Sequence, residues 1–517
     1  MFLQLIKKNK TALSIILVIL IITLGTFLRF YQLDETPLGV YPDEAANGTN
    51  ANQIAAGENF KVFFEDNGGR EGLYIYLVAG MFKLFGSSVW TLHATSAVIG
   101  ILTLILFYFL AKELFGRKIG LIALFLFSIS TWHITFSRDG FRGILVPLVT
   151  VGFLYFLIKA YRSKKTIFWI LSGAFLGAGI YTYIAFRMIP LILLLLFLYY
   201  YFVQKNPFWR TKIFKKGILI FLISTFIVAT PFLVHSIFNP EDFMGRAGGV
   251  SIFNPDLWEG GFIKTAFMST VKTFGMFNLI GDYNWRHNLA GVPMLNFWVG
   301  ILFLWGILLT IINLKKTRYF LILIGLLVML LPPALTAEGV PHALRAIGVL
   351  PFVFLIAALP FKYFFRIKKP FSKLLIFALG IVFLATITYD NYKRYFVTYA
   401  EKEEVYSEFR SDLRELGEHL NGHDYKNPVV LIDNYSDQSL EFITYEKADY
   451  KRFSGNEKDL DQLIQTMKLC DEKSCYLFLS RDFLELSDQS QELKKFKPKE
   501  TVNNKFEQKI FEIYLIK

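Results

Sequence analysis

Apolar stretches long enough to cross a bilayer recur along most of this 517-residue chain, and that recurrence restricts the fold more than any other feature. A hydrocarbon core about 30 Å thick takes roughly 17–25 apolar residues per helix, and every backbone polar group inside it must be satisfied within the segment. Such stretches lie near 11–29, 89–111, 118–136, 143–160, 166–185, 187–204, 217–238, 294–313, 319–335, 346–364 and 372–389. By that length rule there are about eleven, with close spacing around His133 and Arg187. The chain is 54% hydrophobic and holds 54 Phe, more than a soluble core of this size can use, so much of it must face lipid. The expected fold class is a polytopic α-helical membrane protein with a small C-terminal α/β domain.

Charge is distributed unevenly. Residues 401–517 hold 18 Lys+Arg against 25 Asp+Glu, which leaves 37 against 17 of the chain totals of 55 and 42 for residues 1–400. The basic excess sits in short runs between apolar stretches: Lys7–Lys10, Arg162–Lys165, Lys215-Lys216, Lys315–Arg318 and Arg366–Lys369. Runs of this kind mark cytoplasmic loops of a membrane protein and not a nucleic-acid groove. With the N-terminus inside, all of them fall on the cytoplasmic face. The loops 30–88, 137–142, 239–293 and 336–345, and everything after 390, then fall outside. The first apolar stretch lacks small residues at its end, where Leu28-Arg29-Phe30 stands, so it reads as a permanent anchor and not a cleaved signal.

Two domains are expected: a transmembrane domain over residues 1–390 and a soluble extracytoplasmic domain over 391–517. In the latter, Glu401–His419 has helical periodicity, Pro428–Asp433 and Cys475–Ser480 read as strands, Leu460–Leu469 as a helix, and Phe506–Ile516 as one or two terminal strands. Strands alternating with helices predict a small α/β layer. The only cysteines, Cys470 and Cys475, lie five apart in C-D-E-K-S-C. They suit either a local disulfide or two thiols, and no second Cys or His pair accompanies them as a zinc site requires.

Chemistry concentrates in four loops. Tyr41–Gly72 is polar and charged between apolar stretches, where ionisable groups are costly and therefore point to a site. It opens on Pro42-Asp43-Glu44, continues into helical composition over Ala45–Ala56 with Gly57 as the stop, and closes on Arg70-Glu71. Asp43 suits two roles, a helix cap worth about 1 kcal/mol or a general base at a bilayer surface. The second loop is Ser137-Arg138-Asp139-Gly140-Phe141-Arg142. The third includes Asp282, Arg286, His287 and Asn288, and the fourth Glu338, His342 and Arg345. Interfacial anchoring explains a single arginine there. Several cations on the outer face, where the positive-inside rule disfavours them, suit an anionic ligand such as phosphate. Asp459-Leu460-Asp461 spells D-x-D but sits in a surface-helix pattern, and Asn421-Gly422 interrupts the helix between His419 and His423.

The order of these features resembles the GT-C membrane glycosyltransferases, specifically the protein O-mannosyltransferases and lipid A aminoarabinose transferases. Pro42-Asp43-Glu44 matches the Asp, often followed by Glu, that those enzymes carry in their first external loop (here 30–88). Arg70-Glu71-Gly72-Leu73-Tyr74 is similar to their acid-base pair before an aromatic helix, with the charges reversed and Gly72 in place of proline. Trp132-His133 through Ser137-Arg138 resembles a junction between spans. The family's downstream acid is absent at Gly143-Ile144, and Asp139 stands in its place. Gly281-Asp282…Arg286-His287-Asn288 and Pro341-His342…Arg345 are similar to loops of bacterial members. The resemblance covers roughly residues 1–390.

The resemblance implies an inverting transferase that moves one sugar from a polyprenyl-phosphate donor to a hydroxyl of a protein, lipid or cell-envelope glycan, at the outer face of the cytoplasmic membrane. Asp43 and Glu44 are then the catalytic pair. Arg70, Glu71, Arg138, Asp139, Arg142, His342 and Arg345 bind the sugar phosphate, and Arg286 and His287 line a donor or acceptor loop. No cofactor is required and no metal ligand is assigned, although a divalent cation is compatible. Oligosaccharyl transfer or polymer ligation is the nearest alternative. A lipid-linked sugar flippase would instead place ionisable residues deep in its spans.

Overall fold

Apolar segments that cannot hydrogen-bond to lipid must close their backbone bonds on themselves, and helices dominate the chain as a result. The structure, a computed structural model, describes residues 2–204, 211–366, 370–468 and 475–516. Among them seven helical segments are long and apolar enough to cross a membrane: Ala12–Phe30, Val89–Phe115, Arg142–Ser163, Ile184–Gln204, Lys212–Phe238, Thr317–Ala334 and Ile347–Phe364. Leu73–Phe85, Thr166–Tyr181 and Phe297–Ile312 are apolar but shorter, and a further helix covers Pro370–Tyr392. The count of about eleven expected from apolar length is not reached on this measure. One reason is local. The stretch 118–136 breaks after the helix Arg117–Ser128, where the Ser130 hydroxyl caps a separate short helix, Thr131–Phe136, by accepting the His133 N–H at 3.4 Å. Leu13, Ile16, Ile19 and Leu20 are more than half exposed, an arrangement that lipid and not water tolerates. The chain is an integral membrane protein.

Two compact units result. One comprises Met1–Tyr31, Phe60–Tyr74 and Ala94–Tyr399; the other comprises Gln32–Asn59, Ile75–His93 and Ala400–Lys517. The second is therefore discontinuous: it draws in part of the first polar loop, which a boundary near residue 390 does not express.

In the first unit, 83% of the residues across Ile347–Phe364 are buried but only 17% in the most apolar part of Ala12–Phe30, which makes the former a central helix and the latter a peripheral one. Close helix packing uses glycine. A Cβ on Gly173 or Gly177 would come within 2.3 Å of the Phe221 carbonyl oxygen or 2.6 Å of that of Thr225, so the helices Thr166–Ala178 and Lys212–Phe238 meet backbone to backbone. Gly177→Val should therefore push the pair apart and cost roughly 1–3 kcal/mol. Thermal unfolding followed by tryptophan fluorescence checks this, and an unchanged midpoint would show that the contact is loose.

The second unit is built on period-two alternation. Strands β1 (Phe63–Phe64) and β2 (Arg70–Glu71) lie in the polar-loop part of the first unit, whereas β3 (Val429–Leu431), β4 (Lys451–Phe453), β5 (Cys475–Ser480), β6 (Glu500–Asn503) and β7 (Lys509–Ile516) form the C-terminal sheet of the second. That sheet runs in the order β4-β3-β5-β7-β6, parallel across β4-β3-β5 and antiparallel across β5-β7-β6. Val430, Phe478 and Ile513 pack on one face with Leu413, Leu416 and Leu440; Leu431, Leu477 and Tyr514 pack on the other with Leu460 and Ile464. Alternate residues serve opposite faces, so helices cover both sides. The helix expected over Glu401–His419 is broken into Glu403–Glu408 and Ser411–Asn421 by Arg410, whose φ of +51° leaves helical space. The helix Asp437–Thr444 and strands β4 and β6 carry weaker signals and add to the reading. Cys475 is buried on β5, whereas Cys470 lies outside the described residues.

The polar-loop helix Pro42–Ala56 packs on Asp437–Thr444. A Cβ on Gly48 would lie 2.4 Å from the Phe442 ring, and the Ser439 hydroxyl donates to the Val40 carbonyl at 2.8 Å. Gly57, at φ +92°, ends the helix with its N–H directed at the Gln53 and Ile54 carbonyls, as a left-handed C-terminal residue does.

Candidate active site

Asp43 owes its environment to the start of a helix. Tyr41 is the N-cap and Pro42 follows, so Asp43 and Glu44 occupy the first turn. Asp43 is thus inside the helix and not at the capping position. Its charge faces the positive end of the helix dipole, an effect of about 0.3–1 kcal/mol. The Tyr435 hydroxyl lies 3.0 Å from Asp43 Oδ1 and 2.8 Å from the Tyr41 hydroxyl. Tyr435 is held there by a turn in which Asp433 Oδ1 accepts the N–H groups of Tyr435 and Ser436, both at 2.9 Å. Burial, followed by the Asp43 charge, raises the Tyr435 phenol well above its ordinary value. It therefore stays protonated and can donate to the carboxylate. Asp43 is only partly buried, so a hydroxyl can reach it, and one does.

Glu44, one residue on, turns inward. Its Oε2 is 2.9 Å from His93 Nε2, and both side chains are fully buried. Neighbouring residues on a helix point in different directions, which separates the two carboxylates.

In the first unit, Asn67, Gly68 and Gly69 all take positive φ, a turn that brings β2 back antiparallel to β1 with Phe63 opposite Glu71. Glu71 is then gripped by two arginines. Arg142 Nε donates to Oε2 at 2.7 Å, and Arg187 Nη2 lies 3.5 Å from Oε1. Arg142 also donates to the Gly69 carbonyl at 3.3 Å and lies 5.4 Å from the centre of the Tyr183 ring. Arg70 is buried and pairs with Asp66, which is 53% exposed. Arginine binds phosphate through parallel N–H bonds, so the guanidinium groups of Arg70, Arg142 and Arg187 suit an oxyanion.

Arg138 has a different setting. Its Nη1 lies 3.3, 3.0 and 2.7 Å from the carbonyl oxygens of Leu28, Arg29 and Tyr31, at the end of the helix Phe2–Phe30, and its guanidinium sits over the Tyr395 and Phe396 rings. These bonds satisfy carbonyls that a helix end leaves open. Asp139 is buried beside it.

The third and fourth loops meet. Asp282 Oδ2 is 2.8 Å from His287 Nδ1 and accepts the Ala343 N–H at 2.7 Å, while Oδ1 accepts the Asn284 N–H at 2.8 Å. The His287 and His342 ring centres are 4.8 Å apart. Arg286 donates to Asn284 Oδ1 at 3.0 Å, and Arg345 Nη1 to the Glu338 carbonyl at 2.6 Å. Burial outweighs the pull of Asp282 and holds the His287 imidazole below its ordinary value, with Arg286 and Arg345 acting in the same direction as burial.

Sequence reasoning missed Tyr435, His93 and Arg187. Each is one aromatic or basic residue among many, and only the fold brings it to its carboxylate. The D-x-D pair is used locally: Asp459 accepts the Asn456 N–H and Asp461 the Glu492 N–H. His419 stacks on His423 and on Tyr425, whose own rings are tilted to each other.

Residues 73–235 match the profile of the dolichyl-phosphate-mannose-protein mannosyltransferase family. The fold is similar to ArnT from Cupriavidus metallidurans bound to undecaprenyl phosphate, at 11% identity and a TM-score of 0.56, over 98% of each chain. It is also similar to the archaeal oligosaccharyltransferase AglB from Archaeoglobus fulgidus in complex with an inhibitory peptide and a dolichol-phosphate. There the identity is 13% and the TM-score 0.53, over 97% of this chain and 74% of that one. No curated protein sequence matches the chain. At these identities the likeness is one of fold.

Proposed function

We propose that this chain, a GT-C superfamily protein by its fold, is an inverting glycosyltransferase that moves a single sugar from a polyprenyl-phosphate donor to an acceptor hydroxyl at the outer membrane face. One observation carries the reading: a protonated hydroxyl already rests on Asp43, a carboxylate at a helix start, in the relation an acceptor hydroxyl has to its base. In the reaction the acceptor oxygen attacks the anomeric carbon and Asp43 takes its proton. The bond from that carbon to the phosphate oxygen breaks, and polyprenyl phosphate departs from the opposite face. Negative charge grows on the phosphate as it leaves, and prearranged cations lower that barrier without reorganising. Arg142, Arg187 and Arg70 supply them in this reading, with His342 and Arg345 as further donor contacts. ArnT and AglB are described with undecaprenyl phosphate and dolichol-phosphate respectively, which supports a lipid phosphate as the carrier here.

The direct test gives purified protein a panel of radiolabelled polyprenyl-phosphate sugars with a hydroxyl acceptor and measures released polyprenyl phosphate. Release with none of them would remove the donor class. The likeness to AglB supports oligosaccharyl transfer as a second reading, in which lipid-linked oligosaccharides and not single sugars are consumed.

Orientation gives a further prediction. Cysteines introduced at positions 60, 260 and 450 should react with an impermeant reagent in intact cells, and one at position 10 only after lysis, because the Lys/Arg runs lie on the cytoplasmic side. Labelling of position 450 only after lysis would invert the topology.

A further inference from the structure

We propose that Asp282, His287 and His342 form a binding site for a divalent transition ion, zinc in the first instance. Each of the three offers a ligand atom, and these atoms lie within 4.8 Å of one another. Two imidazoles and one carboxylate are the donor set that zinc favours over calcium or magnesium, which prefer oxygen. Zinc retention can be measured without the transfer reaction, although His342 is also a donor contact in the function proposed above.

The surrounding loops hold the three side chains in advance. Gly281 N–H donates to the Gly291 carbonyl at 3.2 Å, Gly291 N–H to the Asp282 carbonyl at 2.9 Å, and the Asn288 amide to the Asp282 and Val292 carbonyls at 3.2 and 2.6 Å. This closed loop fixes Asp282 and His287 together. The fourth loop brings His342 to them through the Ala343 N–H on Asp282 Oδ2, and the Arg345 N–H approaches His342 Nδ1 at 3.4 Å. Outer hydrogen bonds of this kind orient metal ligands and raise affinity. Asp282 and His287 are each 2% exposed, so the carboxylate charge is largely withdrawn from water and a cation beside it is favoured. Three protein ligands leave a coordination position open, and the neighbouring cations Arg286 and Arg345 would favour an anion there.

The same residues have one rival use, a hydrogen-bonded lock in which His287 Nδ1–H donates to Asp282 and no ion enters. The full chain, purified in detergent through a tag that lacks histidine, is equilibrated with zinc, passed into metal-free buffer and analysed by plasma mass spectrometry. Wild type should retain about one zinc per chain. Asp282→Asn and His342→Ala should bind it about tenfold or more weakly. His342 is the least buried of the three, so its variant should keep the fold, checked by helical circular dichroism. A chelator should lower the thermal midpoint of wild type, reversed by zinc, but not that of His342→Ala. Cobalt in place of zinc should give the visible bands of a low-symmetry site in wild type alone. Wild type retaining no more zinc than the variants, or His342→Ala retaining it fully, would establish the lock and overturn the site.

Discussion

Asp43→Asn is expected to slow transfer on the order of a hundredfold or more while the protein folds and binds donor. The amide has the shape of the carboxylate and keeps its place in the first turn of Pro42–Ala56. The fold loses only a charge–dipole term of about 0.3–1 kcal/mol. What disappears is the ability to take the acceptor proton. If Asp43 served the helix alone, turnover would remain close to wild type and the thermal midpoint would carry the whole effect. The rate under single-turnover conditions, measured beside the midpoint, separates the two, and a near-normal rate would defeat the mechanism. Glu44→Gln is the contrasting variant. Glu44 is buried on His93, so the change should lower stability more than turnover. Tyr435→Phe removes the hydroxyl that lies on Asp43 and leaves the base intact, so its effect should be much smaller than that of Asp43→Asn.

What could be read from the chain divides by range. Apolar length marks a span because the bilayer sets it. Gly57 marks a helix stop because the required left-handed φ favours glycine. Strand β5 coincides with the apolar Cys475–Ser480 stretch that reads as a strand in the sequence. Pairings over long range leave no such trace. Asp43 and Tyr435 are 392 residues apart, Glu71 and Arg142 are 71 apart, and Asp282 meets the N–H of Ala343 across 61. No local spacing encodes these, so Tyr435 and the metal-ligating set could not be read ahead of the fold. Arg138 shows the converse. Beside a span it looks like any other arginine that could meet a phosphate, yet it closes the end of a helix more than a hundred residues earlier. A residue's type shows what it can bind, and the chain's path decides what it is offered.

Adding polyprenyl phosphate without its sugar should stabilise the wild-type protein against heat and fail to stabilise Arg142→Met. A ligand that binds only the folded state at a hundred times its dissociation constant contributes about 2.7 kcal/mol, enough to move a midpoint by several degrees. Met keeps much of the volume of the arginine stem but removes the guanidinium that holds Glu71 Oε2 at 2.7 Å. Glu71 keeps Arg187 within 3.5 Å, so the buried carboxylate retains a cation. The variant should fold with a lowered midpoint and bind the lipid phosphate weakly, which appears in transfer as a raised donor KM. Glu71→Ala acts in the other direction on the same cluster. It leaves the buried Arg142 and the partly buried Arg187 without their shared carboxylate and should destabilise the protein by up to about 3–5 kcal/mol, the range for breaking a buried pair by removing one partner. An added phosphate would then offset part of that loss, because it replaces the missing negative charge. If Arg142→Met is stabilised by polyprenyl phosphate as fully as wild type, the arginines around Glu71 are a structural clamp, and the leaving phosphate is held elsewhere.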